Sequence, residues 1–83
     1  MRVPHELTEE FSNQVPLIEQ LVETNYVFQR LAAAYDEVNR HIWRIESEER
    51  PTSVEVIENL KKRRLLLKDD IAAMLAEAQG RTS

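Results

Sequence analysis

No cysteine occurs among the 83 residues. Disulfides and thiolate metal sites are therefore excluded, and the redox compartment cannot be read from the chain. Glycine appears once and proline three times. That is too little for many turns and leaves no glycine-rich loop of the kind that cradles a phosphate. Long apolar runs are also missing. The longest, at residues 31–35 and 71–76, are far too short to cross a bilayer, and no N-terminal apolar stretch resembles a signal peptide. The default expectation is a soluble, cytoplasmic protein without a membrane partner. What is abundant is Ala, Leu, Glu, Arg and Lys, the residues that favour helix. A chain this short makes one domain at most, near the size at which a single core barely supports independent folding.

The net charge of −4 is unevenly spread. Residues 17–49 carry three basic and seven acidic side chains, whereas residues 53–79 carry five of each. A mildly acidic chain receives no general electrostatic help in finding a polyanionic backbone or an anionic membrane, which argues against nucleic acid as the main partner.

Residues 1–16 read as a mobile arm or a short helix folding back on the rest. Pro4 suits a first helical turn, Leu7 and Phe11 lie four apart, and Ser12-Asn13 and Pro16 interrupt the pattern. From Leu17 the apolar spacing becomes regular. Leu17, Leu21, Thr24, Phe28, Leu31, Tyr35, Val38, Ile42 and Ile45 alternate steps of four and three, a heptad seam with one polar member. This predicts a helix over 17–49, stopped by Arg50-Pro51 because the residue before proline is pushed out of the helical region. Asn25 offers an N-cap that would break the helix there; the unbroken seam favours continuity.

A turn is expected over 50–52. Thr52-Ser53-Val54-Glu55 matches a capping box with Thr52 as the cap. The second helix is then predicted over 53–79, with the seam Ile57, Leu60, Arg64, Leu67, Ile71, Met74 and Ala78, until Gly80 stops it and leaves residues 80–83 as a tail. One antiparallel register pairs every layer: Ile45 with Ile57, Ile42 with Leu60, Val38 with Arg64, Tyr35 with Leu67, Leu31 with Ile71, Phe28 with Met74, and Thr24 with Ala78. In that register Arg64 lays its stem over the seam and keeps its guanidinium in water. The fold class expected is thus all-α, a two-helix antiparallel coiled-coil hairpin.

Two helices make a thin core, and ordering each residue costs about 1.5 kcal/mol. Trp43, Leu65 and Leu66 fall off the seam, as do Ile18 and Val22. Such residues form a surface patch or are covered by another chain. Self-association to a dimer or tetramer is expected, with Trp43, Leu65 and Leu66 as the oligomer or partner face.

Chemistry-bearing constellations are absent. Lys61-Lys62-Arg63-Arg64 with Lys68 has the composition of a nucleic-acid contact. On a helix, however, only Lys61, Arg64 and Lys68 share a flank, and Glu58 stands ready for ordinary surface ion pairs. Glu37/His41 and His5/Glu9 have a metal-compatible spacing, but two ligands do not make a site, and a surface hydrogen bond is the reading in both places. The adjacent carboxylates Glu9-Glu10, Asp36-Glu37, Glu48-Glu49 and Asp69-Asp70 diverge by about 100° on a helix and do not converge on a substrate. No catalytic, cofactor or metal residues are assigned, and the chain reads as a non-enzyme.

Phe28-x-x-Leu31, Val38-x-x-x-Ile42, Glu55-Val56, Leu60-Lys61-Lys62 and above all Leu65-x-Leu67-Lys68-Asp69-Asp70-Ile71 resemble the YdcH family of small bacterial proteins of uncharacterised function. The resemblance covers roughly residues 17–76. It implies a cytoplasmic helical hairpin and carries no catalytic or ligand-binding residues with it. This chain has Tyr35 where members often carry a histidine, Asn25-Tyr26 where some have Asn-Pro, and a longer segment before Pro16. Two function classes follow as expectations. One is a self-associating structural or interaction module that docks on a protein partner; the alternative is a weak nucleic-acid or nucleoid-associated binder using the basic turn.

Overall fold

A computed structural model describes residues 3–47 and 52–82, the last two as backbone only. All regular structure among the described residues is helical. Helix α1 spans His5–Glu10, and a single 3-10 turn covers Ser12–Gln14. Helices α2, α3 and α4 span Val15–Thr24, Tyr26–Ser47 and Val54–Thr82. At 1.5 Å per residue the 29-residue α4 is about 44 Å long, and it accounts for most of the 48 Å long axis of the molecule.

Helices α3 and α4 pack along each other. Arg64 Nη1 donates to Asn39 Oδ1 at 3.3 Å, and Lys61 Nζ lies 3.8 Å from Glu46 Oε2. Numbers that rise along α3 therefore meet numbers that fall along α4. Arg64 is half-buried on Asn39 rather than held in water as its seam position suggested. The Asn39 amide nitrogen, buried beside this bond, has no hydrogen-bond partner among the described residues.

The expected continuous first helix is overturned. It begins at Val15, with Pro16 in its first turn where a missing N–H costs nothing, and it breaks at Asn25, whose φ of −126° and ψ of 110° are extended. Asn25 Oδ1 accepts from the Phe28 N–H at 3.0 Å, so the side chain restarts the helix as an N-cap. The break also changes which face of α2 looks inward. Ile18 and Val22 are buried in the core, whereas Leu17 and Leu21 are half-buried and Thr24 is exposed. Ile18 and Val22 thus belong to the chain's own interior and not to a partner face.

Residues before Pro16 take the short-helix form and fold back. Leu7 is fully buried, joining Ile18, Val22, Phe28, Ala32, Tyr35, Ile71 and Leu75 in one cluster, with Val3, Phe11, Leu17, Leu21, Leu31, Leu67 and Met74 at its margin. Lys68 Nζ and Glu10 Oε1, 2.6 Å apart, tie α4 to α1. This third layer explains two core residues that the heptad reading missed. Ala32 and Leu75 each lie one position past a seam residue, on the flank that the N-terminal segment covers.

The second helix also differs at its ends. Its N-cap is Ser53, not Thr52: Ser53 Oγ accepts from the Val56 N–H at 3.1 Å, and the Ser53 carbonyl accepts from Ile57 N–H. Ser53→Ala is expected to lower stability by about 1 kcal/mol and Thr52→Ala by much less, as chemical denaturation would show. Gly80 does not stop α4, which continues to Thr82. Its backbone carries no left-handed φ, so the only penalty is the propensity cost of about 1 kcal/mol for glycine inside a helix. The expected stop at Arg50-Pro51 and most of the turn at 50–52 lie outside the described residues.

Candidate interaction surfaces

The seam residues proposed from spacing are distributed as follows. Phe28, Tyr35, Val38, Ile42 and Ile71 are buried, while Leu31, Ile45, Ile57, Leu60, Leu67 and Met74 are half-buried. Burial is thus densest where three layers meet, and it thins toward the α3–α4 end that the N-terminal segment does not reach. A two-layer helix pair leaves one side of each seam residue near water, which is the physical reason for that gradient.

Trp43, Leu65 and Leu66 are 67%, 54% and 65% exposed. Trp43 lines a recess with Glu6, Arg40 and Arg44, just past the start of α1. Leu65 and Leu66, adjacent on one helix, point about 100° apart and do not form one patch by themselves. Val54 and Val56 at the start of α4 are exposed as well. Tyr26, also exposed, is accounted for locally: the Arg30 guanidinium sits 5.8 Å from its ring centroid and donates to its hydroxyl at 3.1 Å. That hydrogen bond raises the Arg30 pKa above its ordinary value.

The basic turn is largely directed at the protein itself. Lys61 faces Glu46, Arg64 bonds Asn39 and Lys68 pairs with Glu10. Lys61, Lys62 and Arg63 are exposed. The hydrogen bond to Glu10, followed by the attraction of its charge, holds the Lys68 ammonium above the usual lysine range. These three side chains are the ones that share a flank, and each has a partner within the chain, although Lys61 and Glu46 remain largely in solvent.

The two histidines are surface groups. His5 Nε2 is 2.7 Å from Glu9 Oε1, with both side chains well exposed. His41 is exposed and borders a recess with Glu37, Arg44 and Ile45. Among the described residues no group of three His, Cys, Asp or Glu side chains converges, and no helix is long and apolar enough to cross a membrane. Whereas Leu7 and Phe11, four apart, both reach the cluster, the Lys68–Glu10 tether is a feature that spacing did not reveal. Nothing local marks a contact between residues so far apart in sequence.

No curated protein and no solved structure matches the chain. The family described as "Protein of unknown function (DUF465)" matches residues 28–75, more than half of the chain, taking in most of α3 and α4 and leaving out the whole N-terminal segment. The chain belongs to this family, which is the YdcH family of small helical proteins.

Proposed function

We propose that this protein is a non-enzymatic, cytoplasmic structural and interaction module. In this reading α3 and α4 form an antiparallel coiled-coil hairpin that self-associates to a dimer or tetramer through Trp43, Leu65 and Leu66. The assembled hairpins then dock on a protein partner. The observation that carries it is the exposure of Trp43, Leu65 and Leu66. A chain with so thin a core leaves three of its larger apolar side chains, one of them its single tryptophan, outside the fold. A second copy of the chain is the occupant in this reading, because every copy carries the same three exposed apolar side chains and a two-fold contact buries each of them twice.

Sedimentation of the Leu65→Glu/Leu66→Glu double variant tests this reading. The expected result is a fall from the mass of a dimer or tetramer to that of one chain, with helical content unchanged. An unchanged mass, or a wild-type chain already sedimenting as a single copy, would sink it. The nucleic-acid alternative is disfavoured by the engagement of Lys61, Arg64 and Lys68 within the chain. It predicts binding to duplex DNA that weakens steeply with salt, whereas the interaction module predicts none at moderate ionic strength.

A further inference from the structure

We propose that Asn25 is a hinge through which two copies of this chain exchange their N-terminal segments. The first ground is that α2 carries two apolar rows. Ile18 and Val22 are the row now buried in the chain's own core. Leu17 and Leu21, with Thr24, form the other, half-buried or exposed, and continue the spacing of Phe28, Leu31 and Tyr35 without a slip. A helix running unbroken through residue 25 puts this second row on one line with the seam of α3 and carries Ile18, Val22 and α1 away from their present seats.

The second ground is how little separates the two forms. Asn25 N–H donates to the Leu21 carbonyl at 2.8 Å, and the Asn25 carbonyl accepts from Gln29 N–H at 3.0 Å. Both are bonds of the α-helical ladder, already made on either side of the break. Of the three further ladder bonds that a straight helix makes here, side chains take one end of two: Asn25 Oδ1 accepts from the Phe28 N–H that would go to Thr24, and Gln29 Nε2, at 3.4 Å, reaches the Val22 carbonyl that Tyr26 would serve; the third joins Val27 N–H to the Glu23 carbonyl. One residue's dihedral angles separate a broken helix from a straight one, and neither glycine nor proline stands at the joint.

The third ground identifies the occupant. Straightening uncovers Phe28, Ala32, Tyr35, Ile71 and Leu75, which Leu7, Ile18 and Val22 now cover, and leaves Lys68 without Glu10. The identical segment of a second copy restores every one of these contacts, and the exchange is reciprocal, so two copies lose only the two caps and their independent motion. None of these contacts involves Trp43, Leu65 or Leu66, so the two readings stand or fall separately.

The test uses the Leu65→Glu/Leu66→Glu chain as background, to remove association through the outer face. Asn25→Ala abolishes the cap and favours continuous helix. Each lost cap shifts the balance about fivefold, and a dimer involves two, so its dissociation constant is expected to fall roughly thirtyfold. Asn25→Asp keeps the cap and should match the parent. Zero-length amide coupling then reads the exchange directly. Light and heavy isotopic copies are mixed, and a link between Glu10 and Lys68 joins light to heavy in an exchanged dimer. A folded Asn25→Ala chain that stays monomeric, or a dimer whose Glu10–Lys68 links remain within one copy, would overturn the proposal. Should the variant lose helicity, the same coupling on the parent chain at millimolar concentration decides. Links joining light to heavy support exchange, and links found only within single copies refute it.

Discussion

Phe28→Ala is expected to destabilise the folded chain by about 3–5 kcal/mol, the cost of emptying a fully buried aromatic site. A domain of this length holds only about 4–12 kcal/mol in total, so the variant sits close to unfolding, and urea denaturation would show its midpoint collapse. The size of the effect follows from position. Phe28 lies where α2 ends and α3 begins, its N–H is held by the Asn25 cap, and its ring belongs to the cluster shared with the N-terminal segment and α4. Removing it opens a cavity that three layers would have to shift to fill. Trp43→Ala gives the contrast: at concentrations where the chain is a single copy, the change is expected within about 0.5 kcal/mol for a side chain that is mostly in water. A larger loss at Trp43, growing with protein concentration, would mean that its surface is buried in an assembly.

The second large effect distinguishes the two rows on α2. Ile18→Ala should cost about 2–5 kcal/mol, because Ile18 is fully buried against the cluster. Leu17→Ala, at a half-buried site one residue earlier, should cost clearly less. A continuous heptad would reverse this order, since it places Leu17 on the seam and Ile18 on the outside. Denaturation midpoints of the two single variants, measured at a concentration where the parent has one mass, settle which row is inside. The N-terminal segment lies outside the family match, yet it supplies Leu7, Ile18 and Val22 to the interior. Losing Ile18 therefore tests whether this chain depends on a layer beyond the part that its family shares.

Much of α3 and α4 was legible from spacing alone. Val38 and Ile42 recur at seven-residue logic, and that periodicity is local, so it can be read without knowing what lies opposite. Asn25 was harder. An asparagine that caps a helix and one carried inside it differ by about 1 kcal/mol, and the burial of Ile18 and Val22 on a third layer outweighs that difference. Choosing Met74 over Leu75 as the deeper residue failed for a related reason. Neighbours on a helix share nearly the same claim to an apolar edge, and the segment packed on one flank decides between them. At Ser53 the capping signal was one residue out, because Thr52 and Ser53 are chemically alike as caps. The Glu10–Lys68 pair had no signature at all, since a surface acid and a surface base are interchangeable with many others until the chain folds.

By itself the sequence determined that these 83 residues are mostly helical, that two long stretches carry matching apolar edges, and that they hold no cysteine and no apolar run long enough to cross a membrane. These are consequences of composition and of repeat distance, which act over a turn or two of helix. Only the tertiary structure decided that the first helix breaks at Asn25, that Ile18 and Val22 rather than Leu17 and Leu21 face inward, and that Leu7 of α1 joins Ala32, Ile71 and Leu75 in one buried cluster. Those choices depend on apolar area hidden by residues far apart in the chain. The free energy of that burial is larger than the local preferences it overrides.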